Sequence, residues 1–248
     1  MQISVVLAPE VPAELALEGH SCVVIDVLRA TTSMVAALDA GVKGIYPVAD
    51  PEDAWALQQR LAEDMVLGGE RGGLKISGFD LGNSPREYMS ATVGGRFLAM
   101  TTTNGTRALL EAAKAGADPI YIAALRNAPA VAKRLLREQR PTVLYCAGTH
   151  GLVSLDDVLA AGAVISACVD TSGDVALADS ARLAMLAYRS ERRDLGEALR
   201  ATQHGAKLVA LGFGTDLDFA AQVGASTAVG QFDGVMVRLA GHVLRRPG

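Results

Sequence analysis

The stretch VVIDVLRATTS, residues 23–33, opens apolar, turns acidic at Asp26 and basic at Arg29, and ends in four small residues. An apolar run without polar alternation reads as a strand buried on both faces, the habit of parallel sheets covered by helices. A carboxylate at the end of such a strand, with a guanidinium three residues on, is costly unless a partner, an ion or a ligand compensates it.

The same arrangement of strand followed by small polar loop recurs along the chain. Strands are predicted at residues 3–7, 22–25, 44–48, 65–68, 97–101, 120–123 and 142–146, with helical patterns at 33–40, 51–63, 85–90, 106–115 and 128–138. This alternation predicts an α/β fold, layered α/β/α around a largely parallel or mixed sheet. SPREY, residues 84–88, has a capping Ser and a Pro at the first helical position, and so predicts a helix start. Beyond residue 150 the pattern turns helical, in SLDDVLAAGAVISACV (capped by Ser154), DSARLAMLAYRSERRD, DLGEALRATQHG and DLDFAAQVGA. GQFDGVMVRLAG, residues 230–241, predicts a closing hairpin through its Asp-Gly. With no repeat or linker in sight, residues 1–248 read as one α/β unit with a soft subdivision near 150.

Bulk properties narrow the function. The 248 residues are 50% hydrophobic with a formal net charge of -4, so no basic field gathers nucleic acid. Cys22, Cys146 and Cys168 are odd in number and lie in apolar surroundings, as reduced buried thiols of a cytoplasmic protein do. MQISVVLAPEVP lacks the basic start and long apolar core of a signal peptide, and apolar runs break before membrane-spanning length. A soluble, cytoplasmic protein is expected, and a homo-oligomer is compatible with the sequence.

Four Gly- and Thr-rich segments each follow a predicted strand: DVLRATTS, GGERGGLKISGFDLGNSPREY, TTTNGTRAL and CAGTHGLVSLDDV. Beyond the carboxyl ends of an open sheet such segments line a ligand crevice. Their backbone N–H groups (at Gly105 and Gly148, for example) and the hydroxyls of Thr31, Thr32, Thr102, Thr103 and Thr149 suit an anion. Helices starting just after them would aim positive dipole ends at the same point. Arg29, Arg71, Arg86 and Arg107 add guanidinium groups, so a small polyanion is the expected ligand. Any one of these arginines alone reads first as a surface or structural ion pair; their recurrence beside Gly and Thr favours the anion.

Among the carboxylates in these segments, Asp156 and Asp157 suit a helix N-terminus and Asp80 a turn. Asp26 and Glu70, each beyond an apolar strand, resist such readings and suit a hard cation such as Mg²⁺. Cys146 is followed by AGTHGL with no Arg, against a cysteine phosphatase, and Asp26 lacks the second acid of an Asp-x-Asp strand end. No nucleotide loop or zinc helix motif occurs, which leaves a kinase-like reading weak. Of His20, His150, His204 and His242, only His150 falls in a candidate loop, and the others read as surface residues.

Together VVIDVLRATTS, GERGGLKISGFDLGNSPREY, TTTNGTRAL and CAGTHGLVSLDDVLAAG resemble the 2-phosphosulfolactate phosphatases, the ComB family, over roughly residues 20–165. The resemblance implies a family-type α/β fold and a Mg²⁺-dependent phosphatase. Its reaction would convert 2-phospho-3-sulfolactate to 3-sulfolactate and phosphate, a step of coenzyme M synthesis. It implies Asp26 and Glu70 as metal ligands, and Asp26, Arg29, Thr31, Thr32 and Asn104 as catalytic residues. Arg71, Arg86, Thr102, Thr103, Gly105, Arg107, Gly148 and Thr149 would bind substrate, and His150 is a candidate proton donor to the leaving alkoxide. Water attack and a phospho-aspartate on Asp26 both remain open mechanisms. So do another phosphorylated hydroxy acid or sulfonate as substrate, and a noncatalytic binding protein for such a metabolite.

Overall fold

The computed structural model describes residues 1–9, 17–61, 64–88 and 91–241. Their strands are β1 (Gln2–Val6), β2 (Ser21–Ile25), β3 (Gly44–Pro47), β4 (Met65–Arg71), β5 (Leu74–Lys75), β6 (Phe97–Thr101), β7 (Ile120–Ala123), β8 (Thr142–Cys146), β9 (Ala176–Leu177), β10 (Gly230–Phe232) and β11 (Val237–Leu239). The helices are α1 (Ala30–Asp39), α2 (Pro51–Leu61), α3 (Gly105–Lys114), α4 (Ala128–Glu138), α5 (Leu155–Ser172), α6 (Asp179–Glu191), α7 (Leu195–Ala201), α8 (Gln203–Ala210) and α9 (Gly214–Ala220).

The strands form one mixed α/β sheet in the order β5-β4-β6-β3-β11-β10-β7-β2-β8-β1-β9. Two parallel blocks, β4-β6-β3 and β7-β2-β8-β1-β9, are joined by the antiparallel β10–β11 hairpin. Every residue of β2, β7 and β8 is buried, which is why their sequences show no alternation. Successive side chains still point to opposite faces. Val23 and Ile25 pack beneath α4–α9, whereas Cys22 and Val24 meet α1 and α3. Leu98 and Met100 of β6 reach that same second core, while Ala99 packs outward with Ala54 and Leu57 of α2.

β3, β11, β10 and β7 separate β6 from β2 in the sheet. Yet a Cβ at Gly105, just beyond β6, would lie 2.7 Å from Asp26 Oδ2, just beyond β2. The sheet therefore curls around α1 and α3. Nine of the ten residues of α1 are buried, the signature of a helix enclosed on all sides. The loops after β2 and β6 meet across α1 and α3 although four strands separate them in the sheet. The hairpin at 230–241 forms as expected, but in the middle of the sheet.

Two local expectations are corrected, at residues 85–88 and in DLGEALRATQHG. Residues 85–88 are turns rather than a helix, with residues 89–90 outside the described residues; Ser84 does not cap them but donates to Asp216 Oδ1 at 2.7 Å. The helix at 51–63 is described to Leu61, and residues 62–63 lie outside the described residues. DLGEALRATQHG is two helices broken at Thr202, whose hydroxyl caps the second by accepting from Gly205 N–H at 2.9 Å. No helix among the described residues is long and apolar enough to cross a membrane.

Candidate active site

The helices α1, α3 and α5 begin beside one another, where β2, β6 and β8 end. Asp26 sits at that point. Its Oδ1 accepts from Ala30 N–H (3.1 Å) at the start of α1, and the Gly105 N–H at the start of α3 also reaches its carboxylate. A side chain at 105 would collide with both Ala30 and Asp26, so only glycine lets α3 come this close. Burial pushes Asp26 up to about 7, helped by the charges of Asp156 and Glu70 and opposed by those two N–H groups. A buried carboxylate among other carboxylates, at converging positive helix ends, is prepared for a cation and an anion together.

Glu70, at the end of β4, takes the opposite electrostatic course. Burial alone would raise it, but Thr103 N–H (2.8 Å), Gly73 N–H (2.7 Å), the Thr103 hydroxyl (2.8 Å) and the Arg29 charge together hold it below the usual range. It is thus a committed anion. Asp157, in the first turn of α5, accepts from Val27 N–H (2.8 Å) and Gly148 N–H (3.0 Å), tying the β2 and β8 loops together. Burial, then the charges of Asp156 and Asp26, push it well above the carboxylate range. Ser154 donates to Asp156 Oδ1 (2.6 Å) instead of capping α5.

A cavity of about 80 Å³ opens over Asp26, several times the ~10–15 Å³ that admits one water. Of the residues expected to form the site, Asp26, Arg29, Glu70, Thr103, Asn104, Thr149 and His150 line it. Thr31 and Thr32 turn inward, their hydroxyls donating to the carbonyls of Asp26 (2.8 Å) and Val27 (2.7 Å). Thr102 pairs with Thr106, while Gly105 and Gly148 supply the N–H groups to Asp26 and Asp157.

The arginines do not share one cavity. Arg29 is buried, with Nη1 on Asp216 Oδ2 (3.0 Å), Nη2 on the Gly73 carbonyl (2.6 Å) and its guanidinium 4.2 Å from the Phe213 ring centre. Arg71 and Arg107 lie with Lys114 along a neighbouring depression of about 500 Å³ that shares Thr103 with the central cavity. Arg86 is exposed and donates to Thr215 Oγ1 at 2.7 Å.

Four residues escaped sequence reasoning. Asn83, His204 and Lys207 line the central cavity, and Asp216 receives both Arg29 and Ser84. Asn83 Oδ1 and His204 Nδ1 are buried without hydrogen-bond partners, and both residues line the same cavity. Asp26, Glu70 and Asn83 thus present hard oxygens in one place. No three His, Cys, Asp or Glu side chains cluster as a metal cage among the described residues. Mg²⁺ does not need one, since it is ordinarily held by one or two carboxylates and several waters, so the donor set fits it.

A family model described as 2-phosphosulpholactate phosphatase matches residues 6–234. The chain belongs to the 2-phosphosulfolactate phosphatase family. Relatives named probable 2-phosphosulfolactate phosphatase include one from Symbiobacterium thermophilum, 42% identical over 89% of this chain and 94% of its own length. Others come from Deinococcus radiodurans (47% identical, over 83% and 85%) and Clostridium tetani (35%, over 96% and 100%). By its name the family is one of phosphoric monoester hydrolases, and the match extends well past the motifs at residues 20–165 into α5–α9 and the hairpin.

Proposed function

We propose that this chain is a Mg²⁺-dependent phosphatase that hydrolyses 2-phospho-3-sulfolactate to 3-sulfolactate and phosphate, the coenzyme M type of reaction. The observation that carries this reading is the meeting of Asp26, Glu70 and the unpartnered Asn83 Oδ1 at converging helix N-termini, in a chain of this family. Those three residues would hold the metal. When bound, Mg²⁺ would supply positive charge to the phosphoryl oxygens and template an attacking water.

The phosphoryl group enters where the N-termini of α1 and α3 point, between Asn104 and the exposed Lys207. The sulfonate and carboxylate arms reach across Thr103 toward Arg71, Arg107 and Lys114. Arg29 lines the cavity, and its guanidinium fastens α9 and the 70–73 loop to the β2 loop.

The test is phosphate release from a panel of phosphorylated hydroxy acids and sulfonates, after chelation and after Mg²⁺ is restored. Metal-dependent release, fastest on the sulfonated ester, is expected; binding without release would identify a noncatalytic receptor instead. Asp26→Asn and Glu70→Gln should each lower turnover, with part of the loss recovered at higher Mg²⁺.

A further inference from the structure

Of the lysines and arginines among the described residues, Arg29 and Lys207 alone line the central cavity. Arg29 is already engaged. Its Nη1 donates to Asp216 Oδ2 (3.0 Å), its Nη2 to the Gly73 carbonyl (2.6 Å), and its guanidinium lies 4.2 Å from the Phe213 ring centre. Turning that group onto a ligand would strand the buried Asp216 carboxylate, a costly exchange. Lys207 is exposed, and it pairs with no carboxylate among the described residues.

Two carboxylates share the wall with this lysine, yet neither holds it. Glu70 accepts from Thr103 N–H (2.8 Å), the Thr103 hydroxyl (2.8 Å) and Gly73 N–H (2.7 Å), and Asp26 accepts from Ala30 N–H (3.1 Å). The acids take their bonds from the loops around them, which leaves the ammonium for an incoming anion. The helix beneath it is fixed. Thr202 Oγ1 accepts from Gly205 N–H (2.9 Å) and donates to the Leu199 carbonyl (2.8 Å), and a Cβ at position 205 would lie 1.9 Å from that carbonyl oxygen. Leu208, the next residue after Lys207, is buried and also lines the cavity. A rigid α8 thus carries a flexible four-carbon stem with a compact charge at its tip, able to follow a group that moves during reaction.

We infer that Lys207 is a catalytic residue of this site, the side chain whose charge meets the phosphoryl oxygens in the transition state, in place of the engaged Arg29. The inference rests on the phosphatase reading above. As the water oxygen bonds to phosphorus, the phosphorus–ester oxygen bond breaks and its electron pair leaves with the alkoxide. The water gives a proton to solvent and the alkoxide takes one from solvent, so the products are the hydroxy acid and hydrogen phosphate. The ammonium keeps its protons throughout and supplies charge alone, where the phosphoryl oxygens need it.

Lys207→Ala removes an exposed, unpaired side chain, so its thermal midpoint should match that of the wild type. With Mg²⁺ saturating, it should lower kcat/KM on the order of 10²-fold, chiefly through kcat. The factor should be the same on p-nitrophenyl phosphate as on phosphosulfolactate, because both carry the same phosphoryl group. Inhibition by vanadate, which mimics the five-coordinate phosphorus, should weaken on the order of tenfold or more, and added propylamine should restore part of the lost turnover. In the wild type, vanadate with Mg²⁺ should shield Lys207 from acetylation, read by mass spectrometry, and leave Lys133 on α4 reactive; this measurement needs no variant. A folded variant keeping more than about a third of kcat/KM would overturn the assignment. So would a loss confined to phosphosulfolactate, a loss with vanadate inhibition unchanged and no rescue by the amine, or Lys207 acetylated equally with and without vanadate. A wild-type protein releasing phosphate from neither substrate would instead bring down the proposed function, and this inference with it.

Discussion

Arg29 and Asp216, 187 positions apart, form a 3.0 Å ion pair with both side chains 2% exposed. The pair joins the β2 loop to α9, and Ser84 completes it by donating to the other oxygen of Asp216. It is a buried bond between the two halves of the chain, made by a residue that lines the cavity. Removing one partner strands a buried charge, typically at a cost of about 3–5 kcal/mol. Arg29→Met and Asp216→Asn should each lower the thermal midpoint markedly, and the double variant by less than the sum. Additive losses in thermal unfolding would show that the two side chains act independently.

Asp26 predicts an unusual pH dependence. Its folded-state value rises from the ordinary 3.8 to about 7, so the folded protein holds this proton more tightly than the unfolded chain. Its contribution is therefore most favourable below pH 3.8 and is lost progressively as pH rises to about 7. Asparagine does not titrate. In chelator, the midpoint difference between Asp26→Asn and wild type should move in the variant's favour from acid to neutral pH and then level off. A difference that stays constant, or moves the other way, would contradict the assigned burial of charge.

Cys146 packs in the core beneath α5, and burial, followed by the charges of Asp157 and Asp156, pushes its thiol well above the ordinary range. It is no nucleophile at neutral pH. Cys146→Ser should keep kcat within about twofold while losing on the order of 1–3 kcal/mol of stability from the buried hydroxyl. Steady-state kinetics on folded protein checks this, and absent turnover would revive a cysteine mechanism.

Arg71 and Arg107 should act on binding alone. Both lie along the neighbouring depression away from Asp26, and Arg107 is exposed, held by Glu111 at 2.7 Å. Arg71→Lys and Arg107→Lys should raise KM on the sulfonated ester on the order of tenfold, with kcat nearly unchanged. Phospholactate, lacking the sulfonate, should feel much less. Equal losses on both substrates would remove these arginines from the sulfonate end.

The strands were legible because β2, β7 and β8 are buried on both faces and their sequences are apolar throughout. Asp26 and Glu70 were legible for the complementary reason, as charges where an apolar run ends. What sequence hid is what depends on distant partners. Residues 84–88 carry a good helix start, but Ser84 is drawn to Asp216, 132 positions away. His204 reads as a surface histidine because the residues that share its cavity, Asp26 and Glu70 among them, lie far away in sequence. The one local sign was Thr-x-x-Gly at 202–205, which marks a new helix with His204 in its first turn. Asn83 carries no signal at all, since an asparagine in a Gly-rich loop reads as a turn residue.

The central position of the β10–β11 hairpin bears on how the chain reaches its native state. β10 pairs with β7 and β11 with β3, so until residues 230–239 are in place both parallel blocks keep an unpaired inner edge. Those edges lie in the middle of the finished sheet, and β7 carries no charged residue along its length. A nascent chain still lacking the hairpin offers two adhesive templates for other chains, so productive folding waits for the last strands to be synthesised. Truncation before residue 230 should accordingly yield insoluble aggregate rather than a smaller folded unit, even though every residue that lines the central cavity precedes it.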